Sequence, residues 1–185
     1  MPPKVKYTKE EIGDAAYSLV REEGIEALSA RSLANSLGIS TAPIFTAYRN
    51  IDEVKEYVID KAKEKYQEYS ERGLGEKIAF KGAGMEYIKF AKDEPRLFKL
   101  LFMTYPIKNR FYIPEGSYNE SRIKGIVESE YGMSEPVAMR IYNHMSVYTH
   151  GLAVFFAEGQ CDFSDEEVSR MLSEEFFAMR NYLKE

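Results

Sequence analysis

Apolar residues recur along this chain at helical spacing, and start and stop signals bracket most of the runs. Ile12, Ala15, Ala16, Leu19 and Val20 repeat at three- and four-residue intervals behind Thr8 and Glu11, which form a capping-box pair. Gly24 stands where a left-handed cap would end that helix. Ser29 can cap a second helix that carries Leu33, Ala34 and Leu37 on one face and stops at Gly38. Ser40 or Thr41 can cap a third, with Pro43 in its first turn, where a missing N–H costs nothing. Asp52 starts a longer helix through Val54, Val58, Ala62 and Tyr66 that ends between Tyr69 and Gly75.

The remainder repeats this grammar. A helix from about Gly75 to Asp93 precedes Pro95, which opens the short apolar run "PRLFKLLFM", and "TYPIKNRFYIPEG" with its two prolines reads as a loop. Ser117 with Glu120 opens a helix closing at Gly132, Ser134 and Pro136 open a long one to about Gly159, and Ser164 with Glu167 opens the last. No run alternates apolar and polar residues long enough to be a strand. The expectation is an all-α fold of about nine helices, with residues 1–50 as one domain, helix four (about 52–70) connecting, and 51–185 as a second.

The stretch around Gly38 has the form of a helix-turn-helix. Ala34 lies one turn before Gly38, where a larger side chain would push the third helix away, and Gly38 can take positive φ without a Cβ penalty. Leu33, Leu37, Ile39 and Ile44 supply a face joining both helices to the first. After the glycine come Ser40, Thr41 and Thr46 rather than carboxylates, which suits a surface that approaches base edges and phosphates. Any three-helix cluster could use the same apolar pattern, so spacing alone leaves this reading and an ordinary capped hairpin about equally placed.

Charge narrows the picture. The 185 residues carry 25 Lys plus Arg against 30 Asp plus Glu, a net charge of -5, which excludes a uniformly basic coat and makes any nucleic-acid contact local. Up to Asn50 the six basic residues balance six acidic ones, so the whole deficit lies beyond. The lone cysteine, Cys161, excludes an internal disulfide framework. No secretory leader and no apolar run near ~20 residues is visible, so a soluble, cytoplasmic protein is expected.

From about Tyr7 to Val58, "EEGIEALSARSLANSLGIS" followed by "TAPIFTAYRNIDEV" resembles the DNA-binding domain of the tetracycline-repressor (TetR) family of bacterial transcription regulators. A helical body of about 120 residues behind it follows that family's usual plan. The resemblance implies a ligand-responsive regulator, repressing by default, that binds a palindromic double-stranded DNA operator as a homodimer, is released by a small-molecule effector and needs no cofactor. Ser29 and Arg31 would touch phosphate or groove edge, and Thr41, Ala42, Pro43, Phe45 and Thr46 would face DNA. Arg49, Lys55 and the N-terminal Lys4 and Lys6 would add charge. Phe45 stands where the family usually has tyrosine, Tyr48 where an apolar aromatic packs inward, and Ile51 where many members have lysine.

Aromatic and methionine residues are dense in the second part. Phe98, Phe102, Met103, Tyr105, Tyr142 and Met145, with Tyr148, His144 and His150, suit a cavity of apolar walls with a few polar handles, although most such residues are core by default. The last two helices carry more apolar surface than one core needs. Leu152 and Phe156 on one, with Val168, Met171, Leu172, Phe176, Met179, Tyr182 and Leu183 on the other, point to a two-fold dimer through a four-helix bundle. Two rivals stand beside this reading. A helical protein-interaction module would keep Ala34 and Gly38 without DNA affinity. An enzyme finds little support, since HExxH, CxxC, P-loop and GxGxxG motifs are all missing and the two histidines fall on different faces of one helix.

Overall fold

The computed structural model describes residues 7–104, 125, 126, 128, 129 and 131–183. Among these, helices are the sole regular structure. They are α1 (Lys9–Glu23), α2 (Ala30–Leu37), α3 (Ala42–Ala47), α4 (Ile51–Leu74), α5 (Ala79–Asp93), α6 (Pro95–Lys99), helical residues at 125, 126, 128, 129 and 131 (α7), α8 (Glu135–Ala157) and α9 (Asp165–Tyr182). Lys4, Lys6, Tyr105, the Ser117–Glu120 cap and nearly all of the proline-containing loop lie outside the described residues.

The chain divides into two compact units. The first holds residues up to 65 together with 96–105, and the second holds 66–95 and 106–185, so α4 contributes to each. In the first unit α1 packs on α2 and α3. Its core is most of the predicted set: Ile12, Ala16, Val20, Leu33, Ile44, Val54, Val58 and Ala62 are all fully removed from water, whereas Ala15, Leu19, Leu37 and Ile39 are only partly buried. Burial at about 25 cal/mol per Å² of apolar surface is what holds such short helices, because six or eight residues are too few to be helical alone. In the second unit α5 packs on α8 and α9, and α8 on α9.

The capping signals work as read at Thr8–Glu11 and Ser164–Glu167, where both reciprocal bonds form. Gly24 differs. Its φ of 93 is positive, but with ψ 166 it lies outside the αL well in a region open essentially to glycine, and it launches a single 3-10 turn (Ile25–Ala27) that periodicity does not reveal. Helix α5 also starts later than expected, at Ala79, because Gly75 donates to the Glu71 and Arg72 carbonyls and finishes α4 instead. The apolar run after Pro95 is not one helix: α6 widens into a π-type turn at Leu100–Thr104, with the Thr104 hydroxyl bonded to the Lys99 carbonyl at 3.1 Å.

Candidate nucleic-acid interface

Helix α2 begins at Ser29, whose Oγ accepts from the Ser32 amide at 3.1 Å while the Ser32 hydroxyl accepts from the Ser29 amide at 2.9 Å. Such a box is worth about 1 kcal/mol and fixes the orientation of the first turn, which carries the exposed Arg31. At the other end Gly38 is left-handed, φ 65 and ψ 31, and its amide donates to Asn35 while Ile39 donates to Ala34 at 3.0 Å. A Cβ on Gly38 would meet nothing within 4 Å. Glycine is needed there for its dihedral, not for space. The Tyr7 hydroxyl donates to the Leu37 carbonyl at 3.1 Å and satisfies another helix end.

The chain thus reverses into α3, whose Ile44 is fully buried. Tyr48, just beyond, is buried too, and its hydroxyl donates to the Lys9 carbonyl at 2.8 Å. The inward aromatic therefore keeps its hydroxyl by giving it a backbone acceptor, and burial beside Glu53 and Asp14 pushes that phenol up to about 12. With Ile44 and Tyr48 anchored, Thr41, Ala42, Pro43, Phe45 and Thr46 are all exposed on the opposite side. These five form one continuous outward surface.

From Ser29 to Asn50 the chain holds Arg31 and Arg49 and not one carboxylate. Both arginines are exposed, Arg49 at 89% of its side-chain surface. A loose tether holds Arg49: its amide donates to Glu53 at 2.8 Å and its guanidinium at 3.4 Å. Glu53 also accepts from Lys9 Nζ at 2.6 Å, and these donors hold its carboxyl at about 2, with the Lys9 bond the largest influence. Lys55 pairs with Asp52 at 3.0 Å. Exposed pairs of this kind are weak and screened by solvent, so a phosphate can replace the carboxylate at small cost.

Three residues of this region escaped the sequence reading. Ser32 completes the α2 box, and Asn50 Oδ1 accepts from the Glu53 amide at 2.9 Å and so caps α4, which starts at Ile51, one residue earlier than expected. Tyr57 donates to Asp14 at 2.8 Å and packs edge-on against Tyr48, tying α4 to α1. Asn50-x-x-Glu53 was a readable cap signal; the Tyr57 contact spans 43 residues and carried none.

The candidate effector residues do not fall in one unit. Phe98, Phe102 and Met103 belong to the first, whereas Tyr142, His144, Met145, Tyr148 and His150 lie on α8 in the second. Phe98 and Phe102 stack at 5.1 Å between ring centroids, and Met103 is exposed. On α8, Tyr142 and Met145 are buried, Tyr148 and His150 partly so, and His144 is exposed to water. What the second unit does gather is a polar aromatic cluster. Tyr87 Oη lies 2.9 Å from His150 Nδ1, and Tyr66 packs edge-on against Tyr87 at 6.0 Å. Burial raises the Tyr66 and Tyr87 pKa values and lowers that of His150, so phenols and imidazole all stay neutral near pH 7. A Tyr87 hydroxyl donating to Nδ1 leaves the imidazole proton on Nε2.

That depressed pKa makes stability depend on acidity. Below about pH 6.5 the unfolded chain takes a proton on this imidazole that the folded chain resists, so stability is full above that value and declines as pH falls. Thermal melts between pH 8 and 5.5 should show a decline that His150→Gln reduces; parallel profiles for the two proteins would contradict this.

The pairing surface needs correction. Leu152, Val168, Leu172 and Phe176 are buried in the chain's own core and cannot be offered to a second copy. Phe176 lies 6.0 Å from Phe80 and 4.6 Å from Tyr131, ring to ring, and Leu172 Cδ1 closes on Gly84. Spacing of four along α9 made one inward stripe look like half of a broader face. Phe156, Met171, Met179 and Leu183 remain partly exposed and Tyr182 is 77% exposed. Beside them, Val147 of α8, which the sequence also offers as part of the partner face, is outward, as are Phe155 of α8 and Phe177 of α9, which the sequence does not single out for pairing.

This architecture has known counterparts among solved structures. A TetR-like transcriptional regulator from Rhodococcus sp. RHA1 matches over 100% of both chains with a TM-score of 0.63 and 16% identity. AmtR of Mycobacterium smegmatis matches over 97% of both chains with a TM-score of 0.44 and 13% identity. No family model and no curated protein matches the sequence. The chain therefore has the TetR-like fold, an all-helical one. None of the described helices is long and apolar enough to cross a membrane.

Proposed function

We infer that the protein is a transcriptional regulator that binds double-stranded DNA through α2 and α3 and acts as a homodimer. The observation that carries this reading is the 29–50 surface, which has two exposed arginines and no carboxylate in a chain of net charge -5. A polyanion is the partner such a surface complements, and α3, held from behind by Ile44 and Tyr48, is the element narrow enough for a major groove. Arg31 and Arg49 meet phosphates and set the register, while the α3 side chains meet base edges. Repression relieved by a small effector is the logic proposed by resemblance to the TetR family, with the aromatic cluster around Tyr87 and His150 as the polar handle of the effector site. An effector acts only through its differential affinity for DNA-competent and incompetent dimers.

Pairing of two copies uses the outward apolar residues of α8 and α9. Val147, Gly151 and Phe155 follow one another at four-residue intervals on α8, and a Cβ on Gly151 would meet nothing within 4 Å. An exposed glycine costs a helix about 1 kcal/mol and is repaid where another helix must come close. Two copies then present two reading helices to half-sites about one helical turn, ~34 Å, or a small multiple apart.

The test is a mobility shift of the full chain on the DNA upstream of its own gene, with sedimentation of the free protein. A salt-sensitive, sequence-selective shift and a dimer mass at micromolar concentration are expected. A dimer that shifts no duplex would favour a helical protein-interaction module.

A further inference from the structure

Beyond Thr41, the exposed N-cap whose hydroxyl makes no cap bond, the outward face of α3 is poor in hydrogen-bond donors. Thr46 commits its hydroxyl proton to the Ala42 carbonyl, 2.9 Å away, which leaves that oxygen only an acceptor and makes the γ-methyl the group it advances. Ala42, Pro43 and Phe45 have no polar side-chain atom. Phe45 keeps 49% of its surface in water, so about half of the side chain adds nothing to the core behind it. The helix carries no Arg, Lys, Asn or Gln, the side chains that bind guanine or adenine edges in bidentate fashion.

One group in the major groove is apolar, the C5-methyl of thymine, and its partners are methyl and aromatic side chains. With Arg31 and Arg49 exposed at the two ends of this surface and no carboxylate between them, the charge around the apolar patch fits a duplex backbone. We propose that Phe45 and Thr46 select DNA by contact with thymine methyl groups, so that the positions α3 reads are thymines. This deepens the DNA-binding reading and rests on it.

The experiment first selects sites from a random duplex pool with the full chain. Each thymine of the enriched site is then replaced singly by deoxyuridine, which removes the methyl and keeps base pairing. One or two positions are expected to lose about fourfold in affinity, the equivalent of ~0.8 kcal/mol for a buried carbon of this size. Phe45→Ala should bind the thymine and deoxyuridine forms equally at one such position. Thr46→Ser, which keeps the hydroxyl for the Ala42 carbonyl, should do so at another, and unchanged melting temperatures show that both variants fold. An enriched site whose affinity ignores every deoxyuridine, or a penalty undiminished in both variants, overturns the thymine inference alone. A pool from which no duplex is enriched overturns DNA binding itself, and this inference with it.

Discussion

Gly82→Ala is expected to lower the melting temperature by roughly 2–8 °C, a large stability effect for a single methyl group. Helices α4 and α5 approach backbone to backbone at this point. A Cβ on Gly82 would fall on the Gly73 carbonyl oxygen and within 2.7 Å of Glu76 Cβ, and a Cβ on Gly73 would lie 2.5 Å from the Gly82 oxygen. Side chains can swing away from such contacts; carbonyl groups committed to helices cannot, so the two helices must separate. Overpacking of this kind costs about 1–3 kcal/mol, occasionally more, and it outweighs the ~1 kcal/mol that alanine gains over glycine within a helix. Gly151→Ala supplies the opposite sign. Its Cβ enters open space, so monomer stability should rise by up to ~1 kcal/mol while pairing of two copies weakens. A calorimetric scan in which Gly82→Ala melts with the parent would show that the α4–α5 crossing is looser than described.

Removing both Arg31 and Arg49 should weaken operator binding about a hundredfold for each reading head at physiological salt, taking about 1.5 kcal/mol for each charged hydrogen bond lost. The loss should be nearly equal across operator variants, because phosphates carry no sequence information. It should also flatten the dependence of log affinity on log salt by about 0.9 for each phosphate contact removed, close to two per reading head. A salt titration of the double variant separates this from a folding defect, since both arginines are exposed and their removal should leave the melt unchanged. An unaltered slope would place the two charges away from the backbone. Arg49 alone should have the smaller effect, because Glu53 already competes for its guanidinium.

Much of the first unit was legible from the amino acids because its signals are local. Thr8–Glu11, Ser29 and the left-handed Gly38 act within four residues of themselves, and the apolar positions Ile12, Leu33, Ile44 and Val54 follow a period set by the helix alone. The outward set on α3 came from the resemblance to the TetR family, and with Ile44 and Tyr48 buried the same five residues lie in water. Polar partners were harder to see. Glu53 reads as one more surface carboxylate, yet it receives Lys9 from 44 residues away, and the Tyr48 hydroxyl finds a carbonyl 39 residues back.

What the sequence by itself determined is the helical grammar, the reversal at Gly38 and the carboxylate-free stretch, since caps, glycine dihedrals and charge depend on neighbours along the chain. Only the tertiary structure decided which apolar residues of α8 and α9 are spent inside. It turned Leu152, Val168, Leu172 and Phe176 inward and left Val147, Phe155 and Phe177 to water. It also brought Tyr87 to His150, and Gly73 to Gly82. A helical period says which residues share a face. Which face is covered depends on the helices packed against it, and that pairing is a property of the folded chain.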